Sequence, residues 1–202
     1  MNEKVILKYL NIPYKNATQD LLKDINDILV DVKNEIIPHN VYKIIDINQN
    51  HNIDLSHPNI KTYLRDANKI MFLAITLGST SIRMLTRYNS LDKGKLIMLN
   101  KTLDAYIEYL ADRLVLEKLI NPSYRFAPGY QNTNLDINKQ IATYLNAEKL
   151  LGIEFLQSNM MLPEKTMINI IANNNTKNNC RNCLLNSDCS FHYREEKCYE
   201  IN

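Results

Sequence analysis

The sequence predicts an α+β domain: a twisted, mostly antiparallel sheet with helices packed against it. Three observations predict it. Residues 69–77 (Lys-Ile-Met-Phe-Leu-Ala-Ile-Thr-Leu) are apolar on both faces, as a central strand must be. Residues 18–34 and 92–120 carry apolar side chains at helical spacing. Strands and helices do not alternate in a regular βαβ series, which argues against a dinucleotide-binding fold.

The elements follow in chain order. Residues 5–10 (Val-Ile-Leu-Lys-Tyr-Leu) read as a first strand that Pro13 ends. In 18–34, Leu21, Leu22, Ile25, Ile28, Leu29 and Val32 form the buried stripe of a helix. Thr18 is its N-cap and Asp20 lies in its first turn. Residues 41–47, after Pro38, read as a strand. The polar stretch 48–58 is a loop in which His51 and His57 are solvated, because no cysteine or acidic pair lies at metal-ligand spacing. A short helix is expected over 59–67, then the central strand 69–77. Gly78-Ser79-Thr80-Ser81 is a strand-to-helix turn, a geometry that also receives anions.

The long helix 92–120 carries Leu96, Leu99, Leu103, Ile107, Leu110, Leu114 and Leu116. Residues 135–151 form a further helix, with Gly152 placed for a left-handed C-terminal cap. Strands at 153–156 and 166–172 could pair through the connection 158–165. Met160 and Met161 within it suit core filling.

Composition bounds the function. At 202 residues and 45% apolar content, the chain can build one real core. We expect one domain over 1–172, followed by a polar linker and cysteine-rich tail over 173–202. A formal charge of +2 gives no strong field for nucleic acid or a membrane surface. No apolar run reaches membrane-spanning length, and the first residues lack signal-peptide character, so a cytoplasmic location is expected.

The functional signal lies in 125–130, Arg-Phe-Ala-Pro-Gly-Tyr. An Arg fork and a Tyr hydroxyl flank a Pro-Gly turn, an arrangement that suits a carboxylate ligand; the plainer reading is a turn with a structural Arg. Arg125, Gly129 and Tyr130 are followed by Ala147-Glu148-Lys149 and Gly152. Then come Ser158, Met160, Met161, Pro163, Lys165 and Thr166. In order and spacing this set resembles the reactivation domain of cobalamin-dependent methionine synthase, and the whole chain resembles a short, freestanding form of it. Weaker similarity extends to 70–78 and to 110–114, where Asp112 and Arg113 lie.

That resemblance implies a module that binds S-adenosylmethionine and docks over a corrinoid. Arg125 would hold the donor's carboxylate. Ala127 would offer backbone bonds to adenine or ribose, with Gly129 in the turn and Tyr130 at the methionine end. Asp112 would be a further contact. The next acidic position expected falls on Leu116, beside Glu117. Ile170 and Ile171 stand where the resembled domain carries a Tyr over its ligand. The cobalamin would be carried by a partner, a methionine synthase or other corrinoid protein, with a flavodoxin- or ferredoxin-type electron donor. The alternative is a corrinoid-protein interaction or electron-transfer module without donor binding; a stand-alone ligand sensor is a blander third.

Cys180, Cys183, Cys189 and Cys198 are all the cysteines of the chain. Four thiolates at C-x2-C-x5-C-x8-C spacing suit one zinc or an iron–sulfur cluster, with His192 as a substitute ligand; free thiols are the other reading. In a reducing compartment two stable disulfides fit worst.

Overall fold

The structure is a computed structural model and describes residues 1–176. A three-stranded antiparallel sheet is formed by β1 (His39–Asp46), β2 (Lys69–Thr76) and β5 (Thr166–Ala172), with β2 in the centre. The centre belongs to the segment that is buried on both faces: Ile70, Phe72 and Ala74 point to one core, and Met71, Leu73 and Ile75 to the other.

The first face is covered by α3 (Pro58–Tyr63), α6 (Asp136–Leu145) and α7 (Ala147–Leu151). The second is covered by α4 (Gly78–Leu91) and α5 (Lys93–Lys118), with the C-terminal half of α2 (Gln19–Glu35). A third apolar cluster joins α1 (Glu3–Tyr9) to α2 and Ala105 of α5. The α5 helix is therefore buried on more than one side, between the sheet and α1, α2 and α4. No helix among the described residues is long and apolar enough to cross a membrane.

Caps set several boundaries. Thr18 Oγ1 accepts the Leu21 N–H at 3.2 Å at the start of α2. Asp92 accepts from Gly94 and Lys95 at the start of α5. His57 Nδ1 accepts the Asn59 N–H at 3.2 Å as the cap of α3, and His51 packs edge-on to Phe72. Both loop histidines thus have local structural roles.

Several sequence expectations are corrected. Met160 is 61% exposed and does not fill the core, and Leu116 is 70% exposed and lies off the buried stripe of α5. Residues 5–10 belong to a helix, not a strand. Asn2 caps α1, and the consecutive Val5, Ile6 and Leu7 are buried against α2 and α5, so an unbroken apolar run here reflects burial all round. The strands near 153–156 and 166–172 do not pair with each other. β5 pairs with β2, and β3 (Glu154–Phe155) forms a small ladder with β4 (Met161–Leu162). The single helix over 135–151 is two, because Asn146 adopts φ 57° and breaks it. The helix within 59–67 ends at Tyr63, and Leu64 caps it. Gly152 is left-handed, as its place after α7 required.

Candidate functional site

The 125–130 segment runs along the free edge of β5. Phe126 exchanges both backbone hydrogen bonds with Ile170, at 2.9 and 2.8 Å. Strand alternation then sends Phe126 and Arg125 to opposite faces. Phe126 enters the first core beside Tyr63. Arg125 faces α5, and its side chain is only 12% exposed.

Arg125 is fully engaged there. Its Nε donates to Asp112 Oδ1 at 2.7 Å, and Nη2 donates to Glu108 Oε2. Nη1 reaches Asn169 Oδ1 at 3.3 Å and lies against the Met167 sulfur. Burial alone would lower the Arg125 pKa, but Glu108 and Asp112 more than offset it and hold the guanidinium charged. Asp104 extends the acidic row. It accepts from Lys165 Nζ at 2.7 Å, and that lysine side chain is 7% exposed. Spacing of four residues puts Asp104, Glu108 and Asp112 on one face of α5. Burial, and then Glu108, push the nearby Tyr9 phenol well above its usual range.

The other end of the segment is a compact turn. Gly129 has φ +98°, and an added Cβ would lie 2.4 Å from Leu135 Cδ2. That φ favours glycine, and a Cβ there would have to push the Leu135 side chain aside. Tyr130 donates its N–H to the Ala127 carbonyl at 3.2 Å, and Thr133 Oγ1 ties Gly129 N–H to Tyr130 O. The Tyr130 side chain projects outward, 64% exposed. Ala127 is half-buried between the two ends.

The structure brings Arg125 and Asp112 into direct contact and places Ala127, Gly129 and Tyr130 on the adjoining turn. Glu108, Asp104 and Asn169 were not singled out from sequence; the four-residue spacing of the acids was the available signal. Lys165 and Thr166 brace the site: Lys165 O accepts from Leu77 N–H at 2.9 Å, and the Thr76 and Thr166 hydroxyls meet at 2.8 Å. Ile170 and Ile171 are fully buried, one in each core, so neither covers a ligand. The 78–81 turn has spent its hydroxyls. Arg83 donates to Ser79 and Thr80, and Ser81 donates to Gly78 O. The four cysteines lie outside the described residues, and no metal-capable cluster of His, Cys, Asp or Glu occurs among the described ones.

No family model matches the chain, and no curated protein matches it. Among solved structures, the crystal structure of the MetH reactivation domain bound to AdoHcy is similar, with a TM-score of 0.55 at 18% identity. The similarity covers 77% of this chain and 65% of that one, so this chain spans less than two thirds of its length. The three-stranded antiparallel sheet and its packed helices thus form the α+β fold of the MetH reactivation domain.

Proposed function

We propose that the chain binds S-adenosylmethionine on the 125–130 segment and supports reductive methylation of a corrinoid on a separate protein, a cobalamin-dependent methionine synthase. The observation that carries the reading is the Arg125–Gly129–Tyr130 set, presented at a sheet edge of this fold. The donor set fits the ligand. Its amino-acid end bears a carboxylate and an ammonium, and its sulfonium is cationic. Arg125 suits the carboxylate, while Glu108 and Asp112, both partly exposed, suit the cationic groups. The Ala127 backbone would meet the adenine or ribose, and Tyr130 the methionine end. The partner's corrinoid supplies the methyl acceptor; this chain binds and orients the donor.

A second reading is an interaction or electron-transfer module without donor binding. The closed ion pairs of Arg125 favour it, since a ligand carboxylate must displace Glu108 or Asp112 to reach the guanidinium. We extend the proposal to the tail: Cys180, Cys183, Cys189 and Cys198 bind zinc or an iron–sulfur cluster, and a cluster would relay the electron from a flavodoxin- or ferredoxin-type donor. Elemental analysis of anaerobically purified protein tests it, and four titratable thiols without near-stoichiometric metal would remove this role.

The test of function is reactivation in trans. A corrinoid-loaded methionine synthase without its own reactivation domain is mixed with reductant, S-adenosylmethionine and this protein. Faster methylation in the visible spectrum supports the proposal, and an unchanged rate with a cognate partner favours the second reading.

A further inference from the structure

Two elements meet at the candidate site, α5 with its acids and β5 with the segment along its edge. A third element reaches the same place. The α1 helix packs along α5 and closes over Ala105, which is fully buried. Ala105, Glu108 and Asp112 follow one another at spacings of three and four residues, which puts them on one face of α5. The stripe of α5 that receives α1 therefore runs on into the two acids that hold Arg125.

The residues at either end of α1 show how it lies. Burial, with Lys33 and Arg113 close by, holds the Met1 amino group below its ordinary range. Tyr9, at the other end, is half-buried and packs on the cluster around Ala105. Among the charges around its hydroxyl, Glu108 acts most strongly, followed by Arg125, Asp112 and Asp104. The helix thus runs antiparallel to α5, from the Arg113 end back toward Glu108. The ring has its apolar seat in the cluster, and packing alone asks for no hydroxyl beside these carboxylates. Burial first, then Glu108, keeps that phenol protonated. A neutral hydroxyl can donate its hydrogen to a carboxylate and turn its lone pairs to a cation.

We infer that Tyr9 is a specificity-determining residue of this site: its hydroxyl oxygen, oriented by Glu108, faces the donor's sulfonium and favours S-adenosylmethionine over the uncharged thioether that methyl transfer leaves. The inference rests on the proposed binding of S-adenosylmethionine at Arg125. A short carbon chain joins the ligand's carboxylate to its sulfur. A carboxylate held by Arg125 therefore leaves the sulfonium near the acid face of α5, where Glu108 and Asp112 are partly exposed. Those acids attract the ligand's ammonium and sulfonium alike. Tyr9 adds a directed oxygen, and the thioether turns its own lone pairs toward that oxygen instead of a positive charge.

Calorimetry of the full chain with S-adenosylmethionine and with S-adenosylhomocysteine tests this, on wild type and on Tyr9→Phe, with circular dichroism confirming both folds. Tyr9→Phe keeps the ring in its apolar seat and removes only the oxygen. Its affinity for S-adenosylmethionine should fall roughly three- to tenfold, while its affinity for S-adenosylhomocysteine stays nearly unchanged. A merely structural role would move both affinities together. As a second readout, ligand protons beside the sulfonium should show nuclear Overhauser contacts to the Tyr9 ring of the wild type, whose signals the Tyr9→Phe spectrum identifies. A wild type that binds both ligands, with a ratio that Tyr9→Phe does not move and no such contacts, overturns this inference alone. A folded wild type that binds neither ligand overturns the binding reading and this inference with it.

Discussion

The two ends of the 125–130 segment are held in opposite ways. Arg125 is fixed by tertiary contacts: two carboxylates of α5 and two side chains of β5 hold its guanidinium. The turn at Tyr130 is held mostly by local chemistry, a glycine at φ +98° and a threonine hydroxyl, with Asn138 donating to Pro128 O and Asn59 to Gln131 O, and the Tyr130 ring is largely exposed. Under the proposed function the difference separates two tasks: the anchored end would set where a ligand's charged group goes, and the turn would present backbone and an aromatic ring nearby.

Substitutions along the segment sharpen this contrast. Phe126→Ala should have the largest effect, because it empties a fully packed site between Tyr63 and the first core. A loss of about 3–5 kcal/mol is expected, read as a lower urea midpoint. Gly129→Ala should cost about 1–2 kcal/mol. The clash is with the end of a half-exposed leucine that can move, so the positive φ carries most of the cost. Tyr130→Phe should leave stability within about 0.5 kcal/mol in the same urea titration, since the exposed ring supports nothing in the fold. A loss at Tyr130 as large as that at Phe126 would erase the contrast.

Much of the fold is legible in the sequence, for identifiable reasons. β2 was readable as central because both its faces are apolar, and α2 because Thr18 and a clean stripe announce it. The helix at Glu3–Tyr9 was not, since three consecutive apolar residues carry no period when α2 and α5 surround them. Partner choice among the C-terminal strands was also hidden. The β5–β2 pairing joins Ile70 to Ala172, far apart in sequence, and no local signal encodes it.

The candidate site divides the same way. Arg125, Gly129 and Tyr130 stand out by motif, and Asp112 by its neighbours. Glu108 and Asp104 show in the sequence only as acids spaced by four, on a helix whose clearest pattern is its leucines. Their importance depends on which face of α5 meets β5, and tertiary packing decides that.

The central claim is that Arg125 is a ligand's anchor and not only a structural ion pair. Calorimetry with S-adenosylmethionine tests it most directly, on wild-type protein and on Arg125→Ala, with circular dichroism confirming both folds. The account predicts a measurable heat of binding for the wild type. For the variant it predicts a loss of about 1.5–3 kcal/mol of affinity, the range for a charge-assisted hydrogen bond. Folded wild-type protein that gives no heat at millimolar ligand, or an Arg125→Ala variant that binds as tightly as wild type, would contradict it.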